Sequence, residues 1–307
     1  MKVAVISGGF SEEQHSSRKS GKGIAAALEN LGHTVQIIEY DSNLIDNLKK
    51  FSPNAAFPIV QGKYHSDGTV HALLRLAGIA YVGSEPCNAA VINHKTLCKK
   101  IWRTENILTP DFFEYSHKEY LKDGFEDFKA KINANNLTLP VVVKPPTQGG
   151  RFGMVFVEER DSFEKLKESF VYDDVLLVEK YIKGRFFTQG IAEINGVITA
   201  LPPVEVIDNS HDEFKRFSGN IAVIDHDFTP EKLEEINGIT LKAAYLTGAS
   251  GLARLDYHLS LSDGRLYLLE INAAPGMMPG YSSMNKCAEA AGYGYDKFIE
   301  LLLASAK

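Results

Sequence analysis

Apolar positions along the chain follow two rhythms, short unbroken runs and broader helical stripes, and their alternation changes character twice. Residues 2–7 (KVAVIS) are an unbroken run rich in Val and Ile, closed by Gly8-Gly9. Such a run reads as a buried first strand. The polar stretch 11–31 is helix-compatible, with Ser11 as its expected N-cap, Gln14 three residues later and Gly32 as its stop. Strands are expected at 34–40 and 55–60 around a short helix at 44–51, and a helix at 67–77 precedes the tetrapeptide YVGS at 81–84. Strand–helix–strand alternation with short apolar strands indicates a parallel sheet covered by helices. It assigns residues 1–92 to an amino-terminal α/β domain.

The middle of the chain reads differently. Helical patterns at 88–104 and 118–133 precede an apolar strand at 139–144 that ends in Pro145-Pro146. The loop TQGGRFG (147–153) and a second strand at 154–158 follow. A glycine loop between two strands, with no helix after it, is neither a P-loop nor a dinucleotide fingerprint. A helix at 161–170 and a strand at 175–181 complete a second region, 93–182. From 183 to 307 the pattern is antiparallel, with strands at 187–194, 197–206 and 220–224, a helix at 230–247, a hairpin at 251–272 and an amphipathic helix at 295–305. The expected fold class is α/β, an amino-terminal parallel domain followed by two α+β subdomains.

Length and composition permit this division: 307 residues, 44% of them apolar, can bury a core in each of three parts. The 33 basic and 39 acidic side chains are spread along the chain, so neither nucleic acid nor a membrane is expected as a partner. Cys87, Cys98 and Cys287 form no CxxC pair and read as small hydrophobes in a reducing cytosol. The opening apolar stretch is too short for a signal peptide and no run reaches membrane-spanning length, so a cytoplasmic location is expected.

The hairpin carries the clearest chemistry. Arg254 and Asp256 share one face of its first arm, and Glu270 and Asn272 share one face of its second, because strand side chains alternate with period two. A three-residue loop at 262–264, with Gly264 left-handed, sets Asp256 opposite Glu270 and Arg254 opposite Asn272. A two-residue Asp-Gly loop would set Asp256 opposite Ile271 instead. Two carboxylates and an amide on one face form a hard-oxygen site suited to Mg²⁺ shared with phosphates; the competing reading is a solvated strand face with a salt bridge. Lys144, where the strand VVVK meets the glycine loop, can hold phosphate oxygens or can be an ordinary strand-end lysine. Gly149, Gly150 and Gly153 suit a flap over phosphates. Glu179 follows the apolar run VLLV, where it can read an adenine edge or simply mark a strand exit. The nine histidines show no metal-ligand spacing, and Ser11, Ser16 and Ser17 are helix-start residues.

Taken together, Lys95, VVVKP with its glycine loop, VEKYIKG, RLD and LLEINAAPGM resemble the ATP-grasp superfamily, and within it the D-alanine–D-alanine ligases. GGFSEEQ, SDGT (66–69) and YVGS (81–84) match the amino-terminal part of those ligases, and the resemblance is colinear over essentially the whole chain. It implies an ATP-grasp fold that sandwiches ATP between the second and third regions. It implies Mg²⁺, with Mn²⁺ as a substitute, at Asp256, Glu270 and Asn272. Lys95, Lys144, Lys215 and Asn272 would contact phosphates, and Glu179, Lys180 and Ile182 would line the adenine pocket. Arg254 and the backbone NH of Gly276 would stabilise a developing oxyanion. Glu13 would receive a substrate's ammonium group, with His15 beside it. The implied partners are a small carboxylate, a small amine and a second copy of the chain in a homodimer. The implied reaction is formation of an acyl phosphate, with release of ADP, and its capture by an amine.

Departures cluster where substrates would bind. Gly150 stands where the family has a serine, and Arg151 follows it. Arg216 replaces a tyrosine, Tyr281 a serine, Gln61 a histidine and Phe186 a ribose-binding glutamate. Two guanidinium groups in a closed pocket call for an anion between them, so an acidic amino acid or another dicarboxylate is the expected substrate. The alternatives are an unaltered D-alanine–D-alanine ligase of cell-wall synthesis, an ATP-binding regulatory pseudoenzyme, and a kinase that stops at the acyl phosphate.

Overall fold

The computed structural model describes residues 1–62, 66–207 and 227–307, and the backbone of 221–223. The first region contains β1 (Lys2–Ser7), α1 (Gln14–Asn30), β2 (Thr34–Glu39), α2 (Leu44–Phe51), β3 (Ala55–Pro58), α3 (Thr69–Leu76), β4 (Ala80–Tyr81) and α4 (Pro86–Ile92), and α5 (Lys95–Thr104) follows it. Its strands form a parallel sheet in the order β2-β1-β3-β4. The unbroken apolar run of β1 has a direct cause: Val3 and Val5 pack with Ile24 and Leu28 of α1, while Ala4 and Ile6 pack with Leu44, Leu48 and Leu74 on the opposite face. Both faces are dry, so no polar alternation survives.

The second region runs β5 (Phe112–Ser116), α6 (His117–Lys122), α7 (Phe125–Ala134), β6 (Val141–Lys144), β7 (Val155–Val157), α8 (Arg160–Glu164), α9 (Leu166–Ser169) and β8 (Val175–Lys180). The sheet β5-β8-β6-β7 is antiparallel. Val141, Val143, Leu176 and Val178 point into a core with Phe128 and Phe163. Lys144 and Glu179 lie on the other face, because Glu179 pairs with Val142 and Lys144 is two residues further along the same strand.

The third region holds β9 (Gly184–Ile194), β10 (Val197–Ala200), β11 (Val204–Ile207), β12 (Ile221–Val223), α10 (Pro230–Thr247), β13 (Leu252–Ser260), β14 (Leu266–Asn272), α11 (Ser283–Ala290) and α12 (Tyr295–Ala304). The sheet runs β12-β11-β9-β13-β14, with β10 also paired to β9. Ala253, Leu255 and Tyr257 bury themselves with Ile236 and Ala243 of α10 and Trp102 of α5, which leaves Arg254 and Asp256 on the opposite face. α12 returns to the first sheet, where Phe298, Ile299 and Leu302 join Val3 and Val5.

Several expected elements change at their ends. The helical pattern at 88–104 is two helices broken at Asn93-His94, and the His94 ring caps α5 by accepting from Leu97 N at 3.4 Å. The pattern at 118–133 breaks at Asp123-Gly124. The strand expected at 197–206 is divided into β10 and β11 around Leu201-Pro202-Pro203, since proline has no ladder donor. Ser11 is not the cap of α1: the helix begins at Gln14, and Ser11 Oγ donates to Gln61 O at 2.6 Å. Among the described residues, no helix is long and apolar enough to cross a membrane.

Candidate active site

The face of β13 and β14 opposite the core carries the proposed metal ligands. Asp256 pairs with Glu270 and Arg254 with Asn272, the register expected from sequence, but the route to it differs. The strands are joined not by a three-residue loop but by the four-residue loop 261–264, closed by Ser260 N donating to Arg265 O at 3.0 Å, in which Gly264 has φ 67°. On its own that loop would set Asp256 opposite Leu269. A bulge between Asp256 and Tyr257 in the ladder skips Leu269 and restores Glu270 to the position opposite Asp256.

Each acidic ligand is already engaged by a cationic side chain. Arg254 donates to both oxygens of Asp256, Nε to Oδ1 at 2.8 Å and Nη2 to Oδ2 at 2.7 Å. Thr188 Oγ1 donates to Asp256 Oδ1 at 2.6 Å from the neighbouring β9, and Asn272 Nδ2 approaches Oδ2 at 3.3 Å. Lys95 Nζ lies 3.2 Å from Glu270 Oε2. Burial disfavours the Glu270 carboxylate, yet Lys95, Lys144 and Arg254 outweigh it and hold Glu270 well below the usual carboxylate range. Burial likewise disfavours the charge on Arg254, and Asp256 more than restores it. Among the described residues no three His, Cys, Asp or Glu side chains gather as a metal cluster. Two carboxylates and one amide therefore fit a hard divalent cation only as part of a shell that phosphate oxygens complete, which is how Mg²⁺ is held beside nucleotides.

Behind this face lies an ion cluster of which sequence reasoning missed one member, Lys99. The carboxylate of Glu179 is 2% exposed and sits between Lys144 Nζ and Lys99 Nζ, each 2.5 Å from one of its oxygens. It is thus engaged by two lysines at once. Burial opposes the charge on Lys144, and Glu179 with Glu270 more than offsets it, so Lys144 stays protonated. Lys99 was legible as a companion of Lys95, four residues on along one amphipathic helix and therefore on the same face.

The glycine loop closes the site from above. Lys95 Nζ donates to Gln148 O at 2.7 Å, Thr147 N and Oγ1 donate to the Asp173 carboxylate, and Gln148 Nε2 donates to Glu12 Oε2 at 2.8 Å. The loop rests on Glu13: a Cβ on Gly149 would lie 2.4 Å from Glu13 Oε2. At Gly150 a Cβ would meet the Phe152 ring at 3.1 Å and Glu13 Cδ at 3.3 Å, with φ at +58°. The absence of a serine there follows from this close approach. Burial pushes the Glu13 carboxyl above its usual range, although Lys95 pulls the other way.

The loop after β14 forms the remaining wall. Met277 N donates to Ser20 Oγ, Tyr295 OH donates to Met277 O, and Gln61 Nε2 donates to Ala274 O at 3.0 Å. Tyr281 is half exposed. The next residue, Ser282, turns toward Gly276: its Oγ accepts from Met278 N at 2.8 Å, and a Cβ on Gly276 would lie 3.2 Å from it and 3.8 Å from Gln61 Nε2. His15 and Lys180 are exposed, Ile182 is buried, and Phe186 packs edge-on against His258. Arg151 takes a positive φ of 59° within the flap. Lys215 and Arg216 lie outside the described residues.

Comparison with known proteins agrees with this geometry. Residues 101–304 match the family model described as D-ala D-ala ligase C-terminus. The D-alanine–D-alanine ligase of Pelotomaculum thermopropionicum is 33% identical over 310 residues, spanning 99% of this chain and 96% of the relative. That of Carboxydothermus hydrogenoformans is 31% identical over 99% of this chain and 97% of the relative. The crystal structure of the D-alanine–D-alanine ligase from Bacillus anthracis complexed with ATP superimposes with a TM-score of 0.82 at 29% identity, covering 99% of this chain and 97% of that one. The chain belongs to the D-alanine–D-alanine ligase family, and with it to the ATP- and Mg²⁺-dependent, ADP-forming carbon–nitrogen ligases of the ATP-grasp fold.

Proposed function

We propose that the chain joins two molecules of D-alanine. The observation that carries this reading is the register that puts Arg254, Asp256, Glu270 and Asn272 on one face, with Lys95 and Lys144 beside it. The full-length relatives named for D-alanine support the substrate. The expectation of an acidic amino acid or dicarboxylate finds no support among them, and one of its grounds weakens: Tyr281 is exposed, and the next residue, Ser282, offers a hydroxyl beside Gly276.

In this reading Glu13 takes the ammonium of the first alanine, and its raised pKa is offset once that cation pairs with it. The alanine carboxylate attacks the γ-phosphate in line, the bond from the γ-phosphorus to the bridging oxygen breaks and ADP leaves, while Lys95 and Lys144 balance the charge of the phosphates. Asp256, Glu270 and Asn272 would hold Mg²⁺, which would supply further neutralisation of the transferring phosphoryl group. The glycine flap excludes water from the acyl phosphate. The amine of the second alanine attacks the acyl carbon, Arg254 and the Gly276 NH receive the developing oxyanion, and inorganic phosphate leaves. Ser282 grips the second alanine's carboxylate. The segment 179–182 and Lys215 belong to the nucleotide side, and His15, Arg151 and Arg216 border the substrates. The three-part division at about residues 92 and 182, a cytoplasmic location and a homodimer complete the proposal, the last measurable by light scattering.

The test is isotopic. With ¹⁸O in the carboxylate of D-alanine, one labelled oxygen should appear in the released phosphate for each dipeptide formed. Phosphate free of label would reject the acyl phosphate and the roles assigned here.

A further inference from the structure

Lys95 pairs with Glu270 and Arg254 with Asp256, one to one, whereas Lys99 and Lys144 share the single carboxylate of Glu179. Within that buried triad one positive charge is left over. Lys99 is fully buried, and Thr109 Oγ1, at 2.5 Å, is a neutral second partner. Enclosing a second ammonium costs several kcal/mol, which one Lys–Glu pair alone would have avoided.

We propose that Lys99 is a positioning residue for nucleotide binding: by occupying one oxygen of Glu179 and adding the unbalanced charge, it makes Lys144 available to phosphate. This rests on the reading that Lys144 meets the phosphates of ATP. Without Lys99, Glu179 and Lys144 would close into a neutral pair, strengthened by the low dielectric, that an incoming phosphate must break. With Lys99 the triad carries net positive charge, and a phosphate anion relieves it. Lys99 is also the member that loses its proton first. Burial pushes it down to about 8 despite Glu179, whereas Lys144 is raised. The charged groups facing it are Lys144 from β6, Glu179 from β8 and Glu270 from β14, and the Phe112 ring lies below its Nζ. Phosphate binding favours the protonated form, so nucleotide affinity should fall as pH rises through about 8.

The experiment is calorimetric binding of Mg-ATP to the full chain, without amino acid. Lys99→Met should weaken binding by about tenfold or more at neutral pH, the equivalent of roughly one pK unit of lost interaction, and should flatten the alkaline decline. The double variant Lys99→Met/Glu179→Gln restores the single excess charge and should recover most of the loss, which a merely structural lysine would not allow. Wild-type affinity in a correctly folded Lys99→Met, or a double variant that binds no better than the single, overturns the proposal. If Lys99→Met does not fold, the wild-type pH profile decides: constant affinity to well above pH 8 overturns it. Lys144→Met separates the two levels. If that change leaves ATP binding intact, the phosphate assignment itself has failed; if it weakens binding while Lys99→Met does not, only the role of Lys99 has failed.

Discussion

The β13–β14 face and the corner around Glu13 and Gly276 meet in one site but are built by different means. On the hairpin, position comes from the ladder. Asp256 and Glu270 face each other because their strands are in register, and a bulge corrects a loop that would have missed by one residue. In the corner, position comes from single contacts: Glu13 beneath Gly149, Gln61 on Ala274 O, and Ser282 Oγ on Met278 N. A ladder constrains every residue on a strand together, whereas a loop contact constrains one. In the proposed reading, the metal and phosphate chemistry rests on the part of the molecule fixed by a ladder, and substrate choice on the part held by single loop contacts.

The two regions should respond differently to substitution, and the largest effect belongs to the ladder. Asp256→Asn or Glu270→Gln should lower kcat by about a hundredfold or more at saturating Mg²⁺, because each removes a charge that neither the amide nor the flap replaces. Near-normal turnover in steady-state assays would break the comparison at its stronger end. Next comes the flap. Gly149→Ala places a methyl 2.4 Å from Glu13 Oε2, so the loop must lift. A decrease of about tenfold to a hundredfold in kcat/KM for D-alanine is expected, with a smaller change in KM for ATP. A smaller effect distinguishes two adjacent residues: Ser282→Ala should raise KM for the second alanine by about tenfold, the value of one hydrogen bond to a charged group, while Tyr281→Ala should change it less than about twofold. The reverse order would restore Tyr281 to the site.

The smallest expected effect is in pH. Burial raises the pKa of Glu13, and only its ionised form can take an ammonium group. Affinity for the first alanine should therefore decline on acidification at pH values above the ordinary carboxylate range, and the decline should be absent in Glu13→Gln. A KM for D-alanine that is flat on the acid side in the wild type would remove Glu13 from that role.

What was legible in the sequence follows the same division. Period-two alternation revealed the shared face of Arg254 and Asp256, and the apolar run before Lys144 placed it at a strand end. The loop length was misjudged, because a bulge at Leu269 leaves no mark in composition or alternation. β5 and α11 were missed; β5 mixes Phe, Glu, Tyr and Ser with no clean alternation, and α11 follows a loop rich in Gly and Pro. Glu179 was placed correctly on its strand, but its two lysine partners come from a helix and a neighbouring strand, distant in sequence. The hydroxyl of Ser282, one residue after Tyr281, was not singled out, because counting positions along a loop says nothing about which of two neighbours turns inward.

The central claim is the substrate. ADP release should be measured with D-alanine as the only amino acid, and again with D-aspartate or D-glutamate added, with products identified by mass spectrometry. The account predicts turnover with D-alanine alone, one ADP for each D-alanyl-D-alanine, and little change on adding an acidic amino acid. No turnover with D-alanine, together with an ADP-coupled product containing an acidic amino acid, would contradict it.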